Sequence, residues 1–231
     1  MESMATDVKV VAIDGPVASG KTVVGRDLAK QLGFRYLDTG MMYRAITWLA
    51  LQRLNAMDDK PGLEKLAHEC PIEIIGQQGD NVRINGQNVG AELRDPSINS
   101  RVSLVSQVSG VRRALVRQQR GLAEEGKIVM VGRDIGTVVL PDADLKVYLT
   151  ASVQDRARRR WQEMLGQGRD TELDQVVRET DERDRLDSQR ADSPLKPAQD
   201  AWVLDTSKFK VEQVVKAILD RIRELAKAPR T

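Results

Sequence analysis

The chain has 231 residues, enough for one α/β domain with a substantial core and some appended segments. Hydrophobic residues make up 41% and charged residues 30%, which is typical of a folded globular protein and excludes a largely disordered one. The net charge is only +2, so overall charge indicates neither a nucleic-acid nor a membrane partner.

The low cysteine content and the absence of long hydrophobic runs favour a cytoplasmic location. Cys70 is the one cysteine, which excludes an intramolecular disulfide and fits a reducing compartment. The sequence shows no secretory signal pattern and no apolar run of about 18 residues. We interpret Cys70 and the one histidine, His68, as structural or surface residues rather than as a catalytic pair.

The first predicted element is an apolar strand that begins near Val8 and leads into the pattern G-x-x-x-x-G-K-T at residues 15–22. Its glycines let several backbone N–H groups point at one spot, and the helix beginning near Lys21 adds the positive end of its dipole. An oligophosphate suits such a nest. Lys21 would reach the terminal phosphates, and Thr22 would complete the shell of a Mg²⁺ ion. The predicted ATP-binding residues here are Gly15, Pro16, Val17, Ala18, Ser19, Gly20, Lys21 and Thr22.

Beyond this loop, helical and strand patterns alternate. Helices are predicted over residues 22–32, 43–54, 63–67, 98–111, 112–124 and 211–225. Strands are predicted over residues 34–37, 127–131, 145–149 and 202–205. This alternation predicts a right-handed, parallel, three-layer α/β sandwich. Two short alternating strands, over residues 72–75 and 82–89, predict a small antiparallel subdomain inserted into it.

Two charged segments interrupt this α/β pattern. Arg133 and Asp134, framed by glycines, directly follow the apolar strand 127–131, where charged groups are costly unless they bind something. Residues 166–190 are rich in arginine and aspartate and poor in apolar residues, which favours a mobile flap that closes over an anionic phosphate. An exposed helix stabilised by ion pairs is the alternative for that segment.

A triphosphate site leaves a hydrolase, a nucleotide switch and a kinase open. A motor ATPase would usually carry an acidic residue at the end of its apolar Walker-B strand, whereas Val131 is followed by Gly132 and Arg133. Direct phosphoryl transfer needs two anions held in line and positive charge around the migrating group, which many arginines supply. The arginines of residues 156–160 suggest an RNA-binding module as a rival, but nearby acidic residues disfavour it.

Four motifs between residues 8 and 225 resemble those of the bacterial cytidylate kinase family. They are Gly15-Pro16 through Thr22, Asp38-Thr39-Gly40 with Tyr43-Arg44, Gly132-Arg133-Asp134-Ile135-Gly136-Thr137-Val138-Val139, and Arg183-Asp184-Arg185-Leu186-Asp187-Ser188 with Arg190 and Ser193-Pro194-Leu195. The resemblance implies transfer of the ATP γ-phosphate to CMP or dCMP, with Mg²⁺, by a monomer. It also implies a P-loop core (7–40, 101–160 and 191–228), an NMP-binding region with the β insert (41–100) and a lid (161–190).

The resemblance also implies roles for individual residues. Those implied for CMP are Thr39, Arg44, Ser103, Arg112, Arg133, Asp134, Arg183 and Asp187. Within this set, Arg44 and Arg133 together with Arg190 are implied for phosphate groups, Arg183 and Asp187 for the ribose, and Ser103, Arg112 and Asp134 for the base. The implied catalytic residues are Lys21, Arg133, Arg183 and Arg190, and Arg159 is implied near the donor adenine. Val17 and Met41-Met42 are bulkier than the family's usual residues, which affects the geometry of the donor site and the details of the acceptor pocket.

Overall fold

A computed structural model describes residues 8–76 and 81–227. Residues 7 and 228, the outer limits predicted for the core, lie outside the described residues. The strands are β1 Val10–Asp14, β2 Arg35–Asp38, β3 Ile72–Ile75, β4 Asn81–Ile84, β5 Gln87–Val89, β6 Ile128–Gly132, β7 Leu145–Thr150 and β8 Trp202–Asp205. The helices are α1 Lys21–Leu32, α2 Thr39–Arg53, α3 Lys60–Glu69, α4 Pro96–Val105, α5 Ser109–Ala123, α6 Val153–Gly166, α7 Leu173–Ser188 and α8 Val211–Lys227.

The main sheet has five parallel strands in the order β2-β6-β1-β7-β8. β1 lies at its centre, where Asp14 is in register with Gly132 of β6 and Tyr148 of β7. Since all five strands run the same way, their carboxyl ends share one edge of the sheet, where ligands of open α/β folds bind. The predicted parallel α/β architecture is confirmed.

Helices cover both faces of this sheet. Val11 and Ile13 of β1 pack on one face in a core that includes residues of α1 and α8. Ala12, whose side chain points the opposite way, packs in a second core that includes residues of α2, α5 and the small sheet. Both faces of β1 are therefore buried, which explains its uninterrupted apolar sequence.

The small sheet differs from the prediction in its strand count. Residues 82–89 were expected as one strand, but they form two, β4 and β5, which pair antiparallel with β3 in the order β3-β4-β5. Asn85 and Gly86 make the turn with φ of 51° and 76°, respectively. An Asn-Gly pair with positive φ favours a two-residue hairpin, and it divides the segment at this point.

The helix expected over residues 98–111 is also divided. α4 ends at Val105 and α5 begins at Ser109, so Val111 belongs to the second helix. The break leaves the Ser106 carbonyl available to the buried Arg112 side chain, whose Nη1 donates to it at 3.3 Å. In the charged segment 166–190, Gly168 (φ 72°) lies between α6 and α7, which pack against each other. Among the described residues, no helix has the length and apolar composition needed to cross a membrane.

Candidate active site

One large cleft of about 1100 Å³ opens at the carboxyl edge of the main sheet. Its walls come from the glycine-rich loop after β1, the junction of β2 with α2, the turn after β6, and residues of α4, α5, α6 and α7. Many of these residues are arginines, so the cleft combines a phosphate-type loop with a second cationic wall.

The loop after β1 has the backbone geometry of an anion-binding nest. Gly15 has φ of 152°, and a Cβ at this position would lie 2.1 Å from the carbonyl oxygen of Leu149. Gly20, with φ of 93°, precedes α1, and no side chain caps the amide groups at this helix end. The loop therefore requires glycine at both positions, and the free amides of α1 can bind phosphate oxygens.

Lys21 lies folded over this loop. Its ammonium Nζ donates to the carbonyl oxygen of Pro16 at 2.6 Å and to Oγ of Ser19 at 3.2 Å. Burial, reinforced by the neighbouring Arg133, lowers the pKa of Lys21 well below its usual value. An anionic ligand in the loop would supply the negative charge that favours the protonated lysine.

Thr22 and Asp38 bring two oxygen groups together at the mouth of the loop. The Thr22 hydroxyl donates to Oδ2 of Asp38 at 3.0 Å, and Oδ1 of the same carboxylate accepts the backbone N–H of Gly40, capping α2. Hydroxyl and carboxylate oxygens are hard ligands of the kind Mg²⁺ prefers, so this pair fits the expected ion.

A network of hydrogen bonds joins the loop to β7, β8 and α6. The Thr206 hydroxyl lies 3.3 Å from the carbonyl oxygen of Ser19, and Arg159 donates to the Thr206 carbonyl at 2.6 Å. Arg156 is buried and donates to the carbonyls of Val17 (3.0 Å) and Ala151 (2.9 Å). Two arginines of the 156–160 cluster therefore make hydrogen bonds around the phosphate loop, Arg156 from a buried position and Arg159 at the cleft.

At the other end of the cleft, Arg112 and Asp134 form a buried ion pair. Their side chains are 4% and 7% exposed, and Arg112 Nη2 donates to Oδ2 of Asp134. The guanidinium also lies over the ring of Tyr43, 5.6 Å from its centroid. Burial raises the pKa of Tyr43 to about 12, so this phenol stays neutral. A carboxylate and a guanidinium side by side offer an acceptor and donors to one planar ligand.

α7 and the residues just after it contribute a second set of charges that approaches the turn after β6. Arg133 Nε donates to Oδ2 of Asp187 at 2.9 Å, and Arg190 Nη2 lies 3.7 Å from Oδ1 of the same carboxylate. Burial opposes ionisation of Asp187, but these arginines and Arg183 lower its pKa below the usual value. For Arg183, burial and the neighbouring Arg133 lower the pKa to about 9.

Several of these guanidinium groups have nitrogens without a hydrogen-bond partner in the described part of the chain. They are Nε of Arg112, Nε of Arg183 and Nη2 of Arg190. Buried donors of this kind are costly unless a ligand satisfies them. The cluster is therefore arranged for a polyanion with more than one acceptor oxygen.

Arg44 of α2 belongs to the same wall. Its Nη1 donates to Oδ1 of Asn99 at 2.5 Å and to the carbonyl oxygen of Leu93 at 3.1 Å. Burial lowers the pKa of Arg44. The acidic Asp38 raises this pKa, whereas several neighbouring arginines lower it further. Asn99 thus fixes the direction of a guanidinium that faces the cleft.

The structure brings together most residues that the sequence indicated. The cleft is lined by Val17, Ala18, Ser19, Gly20, Lys21, Thr22, Thr39, Arg44, Arg112, Arg133, Asp134, Arg159, Arg183, Asp187 and Arg190. Gly15 and Pro16 are not among the lining residues, but the Pro16 carbonyl accepts from Lys21. Ser103 is not among the lining residues; Val102 and Ser106 of the same segment are, and the Ser103 carbonyl accepts from the Ser106 hydroxyl. Its role with the base stays a prediction.

Sequence reasoning missed several residues of the site. Asn99, Arg156 and Thr206 position cleft residues, and Asp14, 4% exposed at the end of β1, accepts hydrogen bonds from the turn after β6. Asp14 carried one usable signal, because a carboxylate at the end of a wholly apolar strand needs a partner. The others have partners too distant in sequence for any spacing rule to indicate.

The parallel sheet, the glycine-rich loop and the two-ended cationic cleft define a P-loop kinase. The crystal structure of shikimate kinase from Acinetobacter baumannii shares the fold, with a TM-score of 0.50 and 17% identity over 96% of this chain and 97% of that one.

The family follows from closer sequence comparisons. A family model for cytidylate kinase matches residues 11–224. Proteins named cytidylate kinase from Pelotomaculum thermopropionicum and Desulforamulus reducens are 47% and 46% identical over 92% and 93% of this chain, respectively, and over 95% and 96% of their own lengths. The chain therefore belongs to the cytidylate kinase family.

Proposed function

We propose that this protein transfers the γ-phosphate of ATP to CMP and dCMP, giving CDP and dCDP. The observation that carries the proposal is the buried pair of Arg112 and Asp134, which faces the same cleft as the phosphate loop. Proteins of similar sequence are named cytidylate kinase, which supports the same substrate.

The pair of charges matches the edge of cytosine. Cytosine presents an amino donor at N4 beside acceptors at N3 and O2, so the Asp134 carboxylate would accept from N4 while Arg112 donates. Uracil presents an oxygen at the position of N4, and that oxygen would face the carboxylate with no proton between them. A site with such buried polar groups rejects the mismatched base strongly.

The cationic residues would hold the two substrates in line. Lys21 and the amides of α1 would bind the donor phosphates, with the ribose and adenine toward Arg159 and the apolar Phe209 at the edge of the cleft. Arg44 and Arg133 would hold the acceptor phosphate, with Thr39 nearby. Direct transfer needs positioning and positive charge more than a general base, and the cleft provides both.

The groups from α7 would complete the site. Arg183 and Arg190 would donate to the migrating phosphoryl group, whose charge spreads over its oxygens in the transition state. Asp187, with Arg183, would bind the ribose. Mg²⁺ would be held through Thr22, with Asp38 beside it. When bound, the ion would neutralise charge on the donor phosphates.

The regions of the chain would divide this work. We propose that the core (7–40, 101–160 and 191–228) stays fixed, while residues 41–100 bind the monophosphate and residues 161–190 act as a lid. Closure would exclude water, so that the phosphoryl group is not lost to hydrolysis. We further propose that the protein acts as a monomer in the cytoplasm.

An acceptor panel tests the proposal. ATP, Mg²⁺ and the full chain are combined in turn with CMP, dCMP, UMP, AMP and GMP, and ADP formation is followed. We expect turnover with CMP and dCMP and at least tenfold lower kcat/KM with the others. Equal turnover of all five acceptors would reject base recognition by Arg112 and Asp134. ATP hydrolysis without acceptor phosphorylation would indicate a hydrolase or a switch instead.

A further inference from the structure

The residue that connects the two ends of the cleft is Asp14, at the carboxyl end of the central strand β1. Its Oδ1 accepts the backbone N–H of Ile135 at 2.7 Å, and its Oδ2 accepts that of Gly136 at 2.7 Å. The side chain is 4% exposed, so neither oxygen is left to water. On the other side, Asp14 is bonded covalently to Gly15, the first residue of the phosphate loop.

These two hydrogen bonds act on the turn that carries Arg133 and Asp134. Ile135 follows Asp134 directly, so a carboxylate that fixes the amides of Ile135 and Gly136 also fixes where the Asp134 side chain leaves the backbone. A Cβ on Gly136 would lie at ordinary contact distance from Oδ2 of Asp14, 3.4 Å, and 3.2 Å from Cδ of Lys146. The two hydrogen bonds, each of 2.7 Å, are therefore what restrains the turn relative to β1.

We infer that Asp14 is a positioning residue for base recognition: it holds the turn after β6 so that Asp134 faces the cytosine edge at a fixed distance from the phosphate loop. This inference rests on the proposed cytidylate kinase activity. Asp14 contacts neither substrate in this scheme, so its removal would act through Asp134. A misplacement of about 1 Å far from the reacting atoms can cost as much as 100-fold in rate.

The substitution Asp14→Asn tests this with little change in shape. The amide can accept one of the two N–H groups, but its NH₂ would face the other, so one hydrogen bond is lost. We expect the ratio of kcat/KM for CMP to that for UMP to fall about tenfold, while the KM for ATP changes less than that ratio. Folding is checked by circular dichroism and thermal unfolding.

The chain offers a matched control at the opposite end of the same strand. Oδ2 of Asp144 accepts the backbone N–H groups of Lys9 and Val10, each at 2.8 Å, far from the cleft. Because one oxygen accepts both N–H groups, Asp144→Ala is the substitution that removes this kind of bond from β1, and we expect it to lower the melting temperature without changing the CMP:UMP ratio.

A double-mutant cycle asks whether Asp14 acts through Asp134. In an Asp134→Asn background, Asp14→Asn is expected to change the CMP:UMP ratio less than twofold, because the group it positions is gone. If Asp14→Asn does not fold, Asp14→Ser, which keeps one acceptor oxygen without adding volume, is expected to lower the ratio instead.

The outcomes separate the two proposals. A wild-type protein that does not prefer CMP to UMP overturns the proposed function. A wild type that does prefer CMP, with Asp14→Asn lowering kcat/KM equally for both acceptors, overturns only the role of Asp14. A full tenfold effect of Asp14→Asn in the Asp134→Asn background would also overturn it.

Discussion

The two ends of the cleft bind charge in different ways. At the donor end, backbone amides of the loop and of α1 form the nest. Gly15 is required there because its φ is 152° and an added Cβ would lie 2.1 Å from the carbonyl oxygen of Leu149. At the acceptor end, side chains from α2, α5, α7 and the turn after β6 converge, and each is positioned by another side chain.

This difference has a physical consequence. A backbone nest depends mainly on local geometry, so the donor end depends less on α7, whose Asp184 reaches it only through Arg156 and the Val17 carbonyl. The acceptor end depends on ion pairs between elements that are distant in sequence, such as Arg133 with Asp187, and is complete only when α7 is in place. We therefore expect substitutions at the donor end to affect every acceptor equally, and substitutions at the acceptor end to separate one acceptor from another.

The largest effect is expected at the donor end, from Lys21→Met. The substitution keeps the apolar stem but removes the charge that would follow the phosphoryl group, so kcat should fall by about 100- to 1000-fold. The loss should be the same for CMP and dCMP. Coupled kinetics on both acceptors measure it. A residual kcat within tenfold of wild type would show that the lysine does not contact the transferred group.

The next largest effect is expected from Asp134→Asn. A hydrogen bond to a charged group contributes about 2 kcal/mol, so the CMP:UMP ratio of kcat/KM should fall by about 30-fold. ATP binding, measured by isothermal titration calorimetry without acceptor, should change little. Conversely, a variant that loses ATP affinity and keeps its base preference would contradict the division between the two ends.

A smaller effect is expected from Arg190→Ala in the proposed lid. Its buried Nη2 lies 3.7 Å from Oδ1 of Asp187 and has no hydrogen-bond partner among the described residues. We therefore expect this nitrogen to act mainly when a phosphoryl group is present. We expect kcat to fall by at least tenfold, because one charge-assisted contact in the transition state is lost. The melting temperature should change by only a few degrees, since Arg133 still pairs with Asp187. An unchanged rate would contradict the lid role.

The sequence predicted the donor end better than the acceptor end, for the same physical reason. The loop is contiguous, and its glycine spacing indicates its geometry directly. Apolar sequence likewise predicted the five parallel strands, most directly β1, β6 and β7, which are buried on both faces. The Asn85-Gly86 pair is itself a hairpin signal, and it marks the turn that divides residues 82–89 into two strands.

The acceptor end could be predicted only as a set of charged motifs. Arg133 and Asp134 were indicated by their position after a buried strand, but the partners of these groups were not. Asp14 and Ile135 are separated by 121 residues, and Arg44 and Asn99 by 55, so no local pattern connects them. Those contacts are set by sheet register and helix packing, which place residues of distant segments side by side.

The smallest predicted effect concerns Asp14, which lies where the two ends meet. Burial raises its pKa from 3.8 to about 6, against the hydrogen bonds from Gly136 and Ile135; the charge of Asp134 raises it further and that of Lys21 lowers it. Because the pKa is higher in the folded state than in the unfolded one, the folded state binds the additional proton between about pH 4 and 6. Stability from this group is therefore greatest at acidic pH and is lost as the pH rises through about 6.

Urea unfolding of wild type and Asp14→Asn at pH 7 and pH 5 measures this contribution. Other titrating groups are shared by the two proteins, so their difference isolates Asp14. We expect the wild type to gain about 1 kcal/mol relative to the variant on going from pH 7 to pH 5. A difference that stays constant would mean that Asp14 does not titrate in this range, and that its carboxylate is stabilised by the two amides more strongly than burial opposes it.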